Sequence, residues 1–218
     1  MGNLRLQNES ILHRRRIMNR KIGLAGSLIN ALTVFLFAVF MLMDFITGSF
    51  FVCIILSMSF VCMVAALETE CTDDRRAAGK TGLVFAAIYA VLIMIVYYTQ
   101  CTTVLNENLG EEADKILNYR HLGLMFNLDI LGYGIMALST FFIGLTVQVK
   151  NKIDKALKIL LIGHGLFFPG CLIMPMTGMF LGSNGSHSKG GVIALEIWCL
   201  YFLPIGILAF MHFKNREK

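Results

Sequence analysis

Six stretches of the chain are apolar and free of charge over about 20 residues each, the length that crosses the hydrocarbon core of a bilayer. The last of them is interrupted by one acid, Glu196. Backbone polar groups in lipid must be hydrogen-bonded within their own segment, so each stretch is interpreted as a helix. The pattern predicts an all-α membrane protein, a bundle of six transmembrane helices with spans at about 22–43, 49–67, 81–100, 129–149, 157–180 and 190–211.

Positive charge is distributed unevenly between the predicted loops. Residues 1–21 form a basic N-terminal segment, and residues 22–213 form a single membrane domain. Of the 19 Lys and Arg residues, only Lys115, Arg120 and Lys189 lie on the side opposite the N-terminus. Because cytoplasmic loops carry the excess of Lys and Arg, we expect a multi-pass protein of the cell membrane with both termini in the cytoplasm.

The composition agrees with this interpretation and excludes others. Of the 218 residues, 56% are hydrophobic and 15% are charged, whereas soluble domains carry about 25% charged residues. The net charge of +5 and the arginine run at 14–16 follow from membrane orientation and from attraction to anionic lipid headgroups. The lipid bilayer is therefore an expected partner, and nucleic acid is not.

The third loop, residues 101–128, is the one long segment between predicted spans. It is acidic, and from Ala113 to Phe126 its apolar residues follow a helical spacing. We therefore expect a short helix that lies at the outer membrane interface and leads into the fourth span. Such a helix either caps the bundle or forms a lid over a pocket.

Acids and amides meet the outer boundary of four predicted spans. Glu196 lies about 9 Å inside the sixth span at 1.5 Å per residue, and an unpaired charge at such a depth is a functional pointer. The hypothesis is that these residues line an outward-facing ligand pocket. The alternative is that they are the polar and aromatic residues commonly found at a membrane interface. The candidate ligand-binding residues are Glu196, Asp44, Asp129, Tyr133, Gln100 and Tyr97.

Two polar residues match in depth on the cytoplasmic side. Asn30 and His164 each lie eight residues beyond the start of their spans, which places both about 12 Å inside the membrane. We expect a structural hydrogen bond between them across spans one and five. A role for His164 as a ligand or proton relay is the alternative.

Small residues recur every four positions on two spans, and such stripes allow close helix packing in lipid. The predicted packing faces are Gly23, Ser27 and Ala31 on span one, and Gly82, Ala86 and Ala90 on span three.

Enzyme signatures are missing from the sequence. It contains no zinc-protease, serine-hydrolase, nucleotide-binding or dinucleotide-binding motif. Its six cysteines show neither a C-x-x-C pair nor a histidine at metal-ligand spacing. We therefore expect no catalytic residue, no metal and no cofactor.

Three stretches carry a resemblance: residues 87–100, from AIYA through YYTQ, FNLDILGYG at 126–134 and LEIWCL at 195–200. With these, most of the chain resembles small six-span integral membrane proteins of bacteria whose function is uncharacterised. The resemblance implies six helices in a bacterial cell membrane. It implies no substrate, cofactor or site residue.

Two classes of function stay open. The first is a bundle that binds or transports a small molecule or lipid in the outward pocket. The second is a non-catalytic membrane protein of regulatory or immunity type, which acts through helix–helix contacts with protein partners. Self-association into a homo-oligomer is open in both classes.

Overall fold

The computed structural model describes residues 2–106, 108–178 and 189–216. It is 88% helical, without strands in the part described, so the predicted all-α bundle is confirmed. Six helical segments are long and apolar enough to cross a membrane, as expected of a multi-pass protein. The α-helices in chain order are α1 (Gly2–Leu42), α2 (Ile46–Glu68), α3 (Arg76–Thr99), α4 (Glu111–Leu117), α5 (Leu124–Thr146), α6 (Lys152–His164), α7 (Phe167–Met176) and α8 (Lys189–Asn215).

Several helices begin before the charge-free stretches that predict them. The fourth span begins at Leu124 instead of residue 129, and the fifth begins at Lys152 instead of residue 157. Long basic side chains can cover apolar surface with their stems and keep their charges in water. The fifth span therefore continues past the lysines that end its charge-free stretch, whereas the fourth span continues past Asp129, which is buried. Residues 179 and 180 of the predicted fifth span lie outside the described residues.

The fifth span is broken into α6 and α7 at Gly165 and Leu166. Pro169 has no N–H to donate to the carbonyl of Gly165, four residues earlier. The Phe168 N–H donates to that carbonyl instead, at 3.2 Å, in a tighter turn. Pro169 then falls in the first turn of α7, where the missing donor costs little.

The spans pack as a closed ring. Each span contacts the next in the order α1, α2, α3, α5, the α6–α7 pair and α8, and α8 returns to contact α1. Arg20 Nε near the start of span one donates to the Phe213 carbonyl near the end of α8, at 2.9 Å. We therefore call this end of the bundle the termini end, and the end that carries α4 the loop end.

Both predicted small-residue faces are packed. Ala31 on α1 is buried, and a Cβ added at Gly206 of α8 would lie 3.1 Å from the Ala31 backbone. On α3, a Cβ at Gly82 would lie 2.6 Å from the side chain of Ile143 on α5, while Ala86 is fully buried. Close approach of the backbones thus fastens two of the helix pairs in the ring.

The third loop contains the predicted short helix, α4, which begins two residues before Ala113 and ends at Leu117, well before the predicted Phe126. A 3-10 turn follows at Tyr119–His121. Asp114 accepts hydrogen bonds from Asn118 Nδ2 at 3.0 Å and from His121 Nε2 at 2.6 Å. The bond from His121 is the main reason that the pKa of Asp114 lies below its usual value. These contacts fold the segment onto itself before it enters α5.

We expect Ala86→Leu to destabilise the bundle by about 1–3 kcal/mol, because the larger side chain has no space between α3 and α5. Thermal denaturation in detergent measures this effect. Val84→Leu is the matched control, since Val84 lies on the same helix and is 57% exposed. Equal melting temperatures for the two variants would place Ala86 outside the tight contact.

Candidate functional site

Asp129, near the start of α5, is the most deeply buried of the described acids at the loop end. Its side chain is 1% exposed. Oδ2 accepts a hydrogen bond from the Tyr119 hydroxyl at 3.1 Å, whereas Oδ1 has no partner among the described residues. A buried carboxylate normally has several donors or a cation to offset the loss of water. Asp129 is therefore incompletely satisfied.

Gln100 holds the third loop over Asp129. This side chain is buried where α3 passes into a π-helical turn, Gln100–Val104. Its Nε2 donates to the Leu117 carbonyl at 2.8 Å, and its Oε1 accepts from the Tyr119 N–H at 3.0 Å. Turns of this kind are frequent at functional sites. One amide thus fixes the backbone on both sides of Asn118.

Aromatic rings surround Tyr119. Its ring centroid lies 5.6 Å from that of Phe50, 6.2 Å from that of Tyr97 and 5.4 Å from that of Phe126. Burial raises the pKa of the Tyr119 hydroxyl, and the neighbouring charge of Asp129 raises it further. The phenol is therefore a neutral donor to the carboxylate. Asp129, Tyr119, Gln100, Tyr97, Phe50 and Phe126 are named the loop-end cluster.

The structure divides the predicted ligand-binding set. Asp129, Gln100 and Tyr97 belong to the loop-end cluster, and Tyr133 lies one turn further along α5. Asp44 is instead exposed in the turn between α1 and α2, with a φ of 55°. Glu196 is half-buried on α8, and its Oε1 has no partner among the described residues. The buried polar group therefore centres on Asp129 instead of Glu196.

Tyr119 was not predicted as a site residue. It lies in the third loop, and depth along the spans, which selects the other candidates, says nothing about loop residues. The spacing of ten residues between Tyr119 and Asp129 gives no signal of its own.

Polar contacts continue from Tyr133 into the middle of the bundle. The Tyr133 hydroxyl lies 3.8 Å from the Cys53 thiol. Its ring centroid lies 4.9 Å from that of Trp198 and 5.8 Å from that of Tyr89. The buried Tyr89 hydroxyl has no partner among the described residues.

His164 is fully buried, and both of its ring nitrogens are hydrogen-bonded. Trp198 Nε1 can only donate, so His164 Nε2 accepts its hydrogen bond at 3.1 Å. The Thr140 hydroxyl donates to the Ala137 carbonyl and lies 2.8 Å from His164 Nδ1. Nδ1 therefore carries the proton, and the imidazole is neutral.

The predicted hydrogen bond between Asn30 and His164 is wrong. Both polar atoms of the Asn30 amide are buried and have no partner among the described residues. In the ring of spans, α8 lies between α1 and α6. Equal depth in the membrane therefore does not bring these two side chains together.

A second ionisable cluster joins three elements at the termini end. His212 of α8 bonds to Asp154 Oδ1 of α6 through Nδ1 at 2.7 Å, and to Glu70 Oε2 after α2 through Nε2 at 3.1 Å. The Arg216 guanidinium lies 2.9 Å from the same Glu70 oxygen. Glu70, Asp154, His212 and Arg216 are named the termini-end cluster.

The termini-end cluster was missed because loop charges serve in the sequence only to orient the spans. One signal was available, since His212 and Arg216 are four residues apart and share a helix face. Burial alone would raise the pKa of Glu70, but His212 and Arg216 outweigh that effect and lower it. The cluster therefore joins α6 and α8 to the segment after α2.

Two cavities stand out in the described part of the chain. A groove of about 260 Å³ opens between α1 and α2, with Ala25, Gly26, Ser59 and Cys62 among its lining residues. A crevice of about 10 Å³ adjoins His212 and Glu70, which is room for about one water molecule. Neither is lined by Asp129, and no group of three potential metal ligands occurs among the described residues.

Comparisons with protein-family models, with curated proteins and with solved structures yield no match.

We expect Glu70→Gln to lower the stability at neutral pH by about 1 kcal/mol, since the amide cannot pair with His212 and Arg216 as a charge does. The lowered pKa means that the Glu70 contribution is present above about pH 4.5, its usual pKa, and is lost as the pH falls through the lowered value. The melting temperatures of parent and variant should therefore converge in acid. Glu68→Gln is the matched control, and a difference that stays constant down to pH 3 would contradict this role.

Proposed function

We propose that this protein binds a small molecule at the loop end of its membrane bundle, in a site centred on Asp129 and covered by segment 111–123. One observation carries the proposal: the Asp129 carboxylate is buried, and only one of its oxygens has a hydrogen-bond donor.

The cost of burying Asp129 supports a functional role. An acid inside a membrane span is costly unless it is paired or solvated, and the cost reaches about 2.5–3.5 kcal/mol at the centre of the span. Anchoring Tyr119 does not require that cost, because an asparagine or glutamine would accept the same hydrogen bond. A ligand that supplies donors or positive charge to Oδ1 would offset it.

The contacts of segment 111–123 support its role as a cover. Three hydrogen bonds attach it to the bundle, two at Gln100 and one at Asp129, and the Tyr119 ring packs against three aromatic rings. Residues of α4 such as Glu111, Glu112 and Ile116 are exposed. The segment can therefore lift without unpacking a span.

We further propose that the loop end faces outward from a bacterial cell membrane and that both termini are cytoplasmic. The support is the unequal distribution of Lys and Arg between the two ends. The resemblance to bacterial six-span proteins agrees with it.

A second candidate function is lateral association with a transmembrane helix of another protein, and the groove between α1 and α2 favours it. A Cβ at Gly26 would lie 2.8 Å from the Met63 backbone nitrogen, so these helices are in close contact beneath the groove. Its volume of about 260 Å³ is below the roughly 300–1,000 Å³ of small-molecule pockets. Cys62 is free and exposed there, so cross-linking in membranes can detect a neighbour.

Labelling of Cys53 tests the cover. In a variant that retains only this buried thiol, we expect slow reaction with a small water-soluble reagent. Gln100→Ala removes two hydrogen bonds of about 1 kcal/mol each, so labelling should accelerate about 10- to 30-fold. Thr99→Ala, which loses an intrahelical bond, is the matched control. Equal rates in both variants would contradict the proposed cover, provided that a parallel variant which retains only Cys101 reacts normally with the same reagent.

Labelling of intact cells with a membrane-impermeant thiol reagent tests the orientation. In a cysteine-free background, we expect Glu112→Cys on α4 to be labelled, and Asp74→Cys and Asn215→Cys to be protected until the cells are permeabilised. The reverse pattern would invert the topology and place the Asp129 site at the cytoplasmic face.

A further inference from the structure

We infer that the ligand of the Asp129 site is an organic ammonium ion, and that the Tyr119 side chain occupies its place in this structure. The inference rests on the proposed function and adds the chemical class of the ligand.

The charges of the loop end favour a cation. Asp129 forms no ion pair within the described residues. Lys115 on the covering segment is exposed and pairs with Glu111 at 2.6 Å, and Arg120 is exposed. The covering segment also carries the acids Glu112 and Asp114. An anion would meet a buried negative charge, whereas a cation would neutralise it.

The aromatic rings favour an organic cation over a metal ion. Ammonium groups bind over the faces of Tyr and Phe rings within about 6 Å of the ring centroid. Metal ions that prefer oxygen need about six oxygen ligands, and Asp129 is one carboxylate among rings. Among the described residues, no metal-binding group occurs here.

Tyr119 marks the volume that such a ligand would fill. Its ring contacts Phe50, Tyr97 and Phe126, and its hydroxyl bonds to Asp129. When Tyr119 lifts with its segment, those three rings and the carboxylate remain as the walls of the vacated space. A ring and its hydroxyl are similar in size to a small tetraalkylammonium ion. The ligand site is therefore filled by one of the protein's own side chains.

Trp198 provides the readout, because it is the one tryptophan of the chain. Its ring lies 4.9 Å from Tyr133, which is one helical turn from Asp129. A ligand that enters the loop-end cluster should therefore change the fluorescence of Trp198.

The experiment titrates the full-length protein in detergent with tetramethylammonium, and with p-cresol as a neutral mimic of the tyrosine side chain. We expect a saturable response to tetramethylammonium. Tyr119→Ala should tighten it about tenfold because the competing side chain is gone. Tyr119→Phe, which removes only the hydrogen bond of the hydroxyl, should tighten tetramethylammonium binding less. It also provides a test of the same site if the alanine variant does not fold.

The charge of Asp129 is tested in the same assay. We expect Asp129→Asn to weaken the tetramethylammonium response at least tenfold and to leave any p-cresol response in place. Glu112→Gln is the matched control, because it removes an exposed acid of the loop end outside the cluster.

The outcomes separate the two proposals. A p-cresol response without a tetramethylammonium response in Tyr119→Ala would overturn the ammonium class and keep the site. An unchanged ammonium response in Asp129→Asn would likewise overturn the class. If neither probe acts on any variant and Cys53 stays unreactive in Gln100→Ala, the Asp129 site itself is refuted.

Discussion

The absence of water from the hydrocarbon core is the constraint on which the rest of this structure depends. Every polar side chain inside the bundle must find its partner on another part of the chain or remain costly. His164 meets this demand through Thr140 and Trp198, and His212 meets it through Asp154 and Glu70. Asp129 meets it at Oδ2 only, because Oδ1 has no partner among the described residues. His164 and His212 thus hold helices together, whereas Asp129 retains an unused acceptor at the loop end. The buried Asn30 amide and the Tyr89 hydroxyl also lack partners among the described residues.

Close backbone contact holds parts of the bundle rigid. Where Gly206 meets Ala31 and Gly82 meets Ile143, the helices have no slack to rotate. The Ser139 hydroxyl adds a hydrogen bond to the Gly82 carbonyl at 2.7 Å in the same contact. The ring of spans is therefore rigid where small residues meet. Movement is easiest in segment 111–123, which is held by three hydrogen bonds and by the packing of Leu117 and Tyr119. This places the cover and the incomplete acid at the same end of the molecule.

The sequence predicts much of the fold because each span must be apolar over a fixed length, and small residues mark where helices touch. Depth along a helix is also readable, so Asp129, Gln100 and Tyr97 could be assigned to one boundary. Position around the helix axis is not readable in the same way. For this reason Glu196 and Asp44 were grouped with Asp129, and Asn30 was paired with His164 across an intervening helix. Tyr119 and the termini-end cluster depend on how loops and helix ends fold back, which no periodicity records.

The break in the fifth span divides it into halves of unequal attachment. The α6 half is fastened at Asp154 and at His164, which are both buried. In the α7 half, which the structure describes completely, every residue is at least partly exposed. The free energy of a local opening is set by the contacts that are lost when the segment opens. Amide hydrogens of α7 would therefore exchange through a separate, low-energy opening, while those of α6 would exchange only when the ring of helices comes apart.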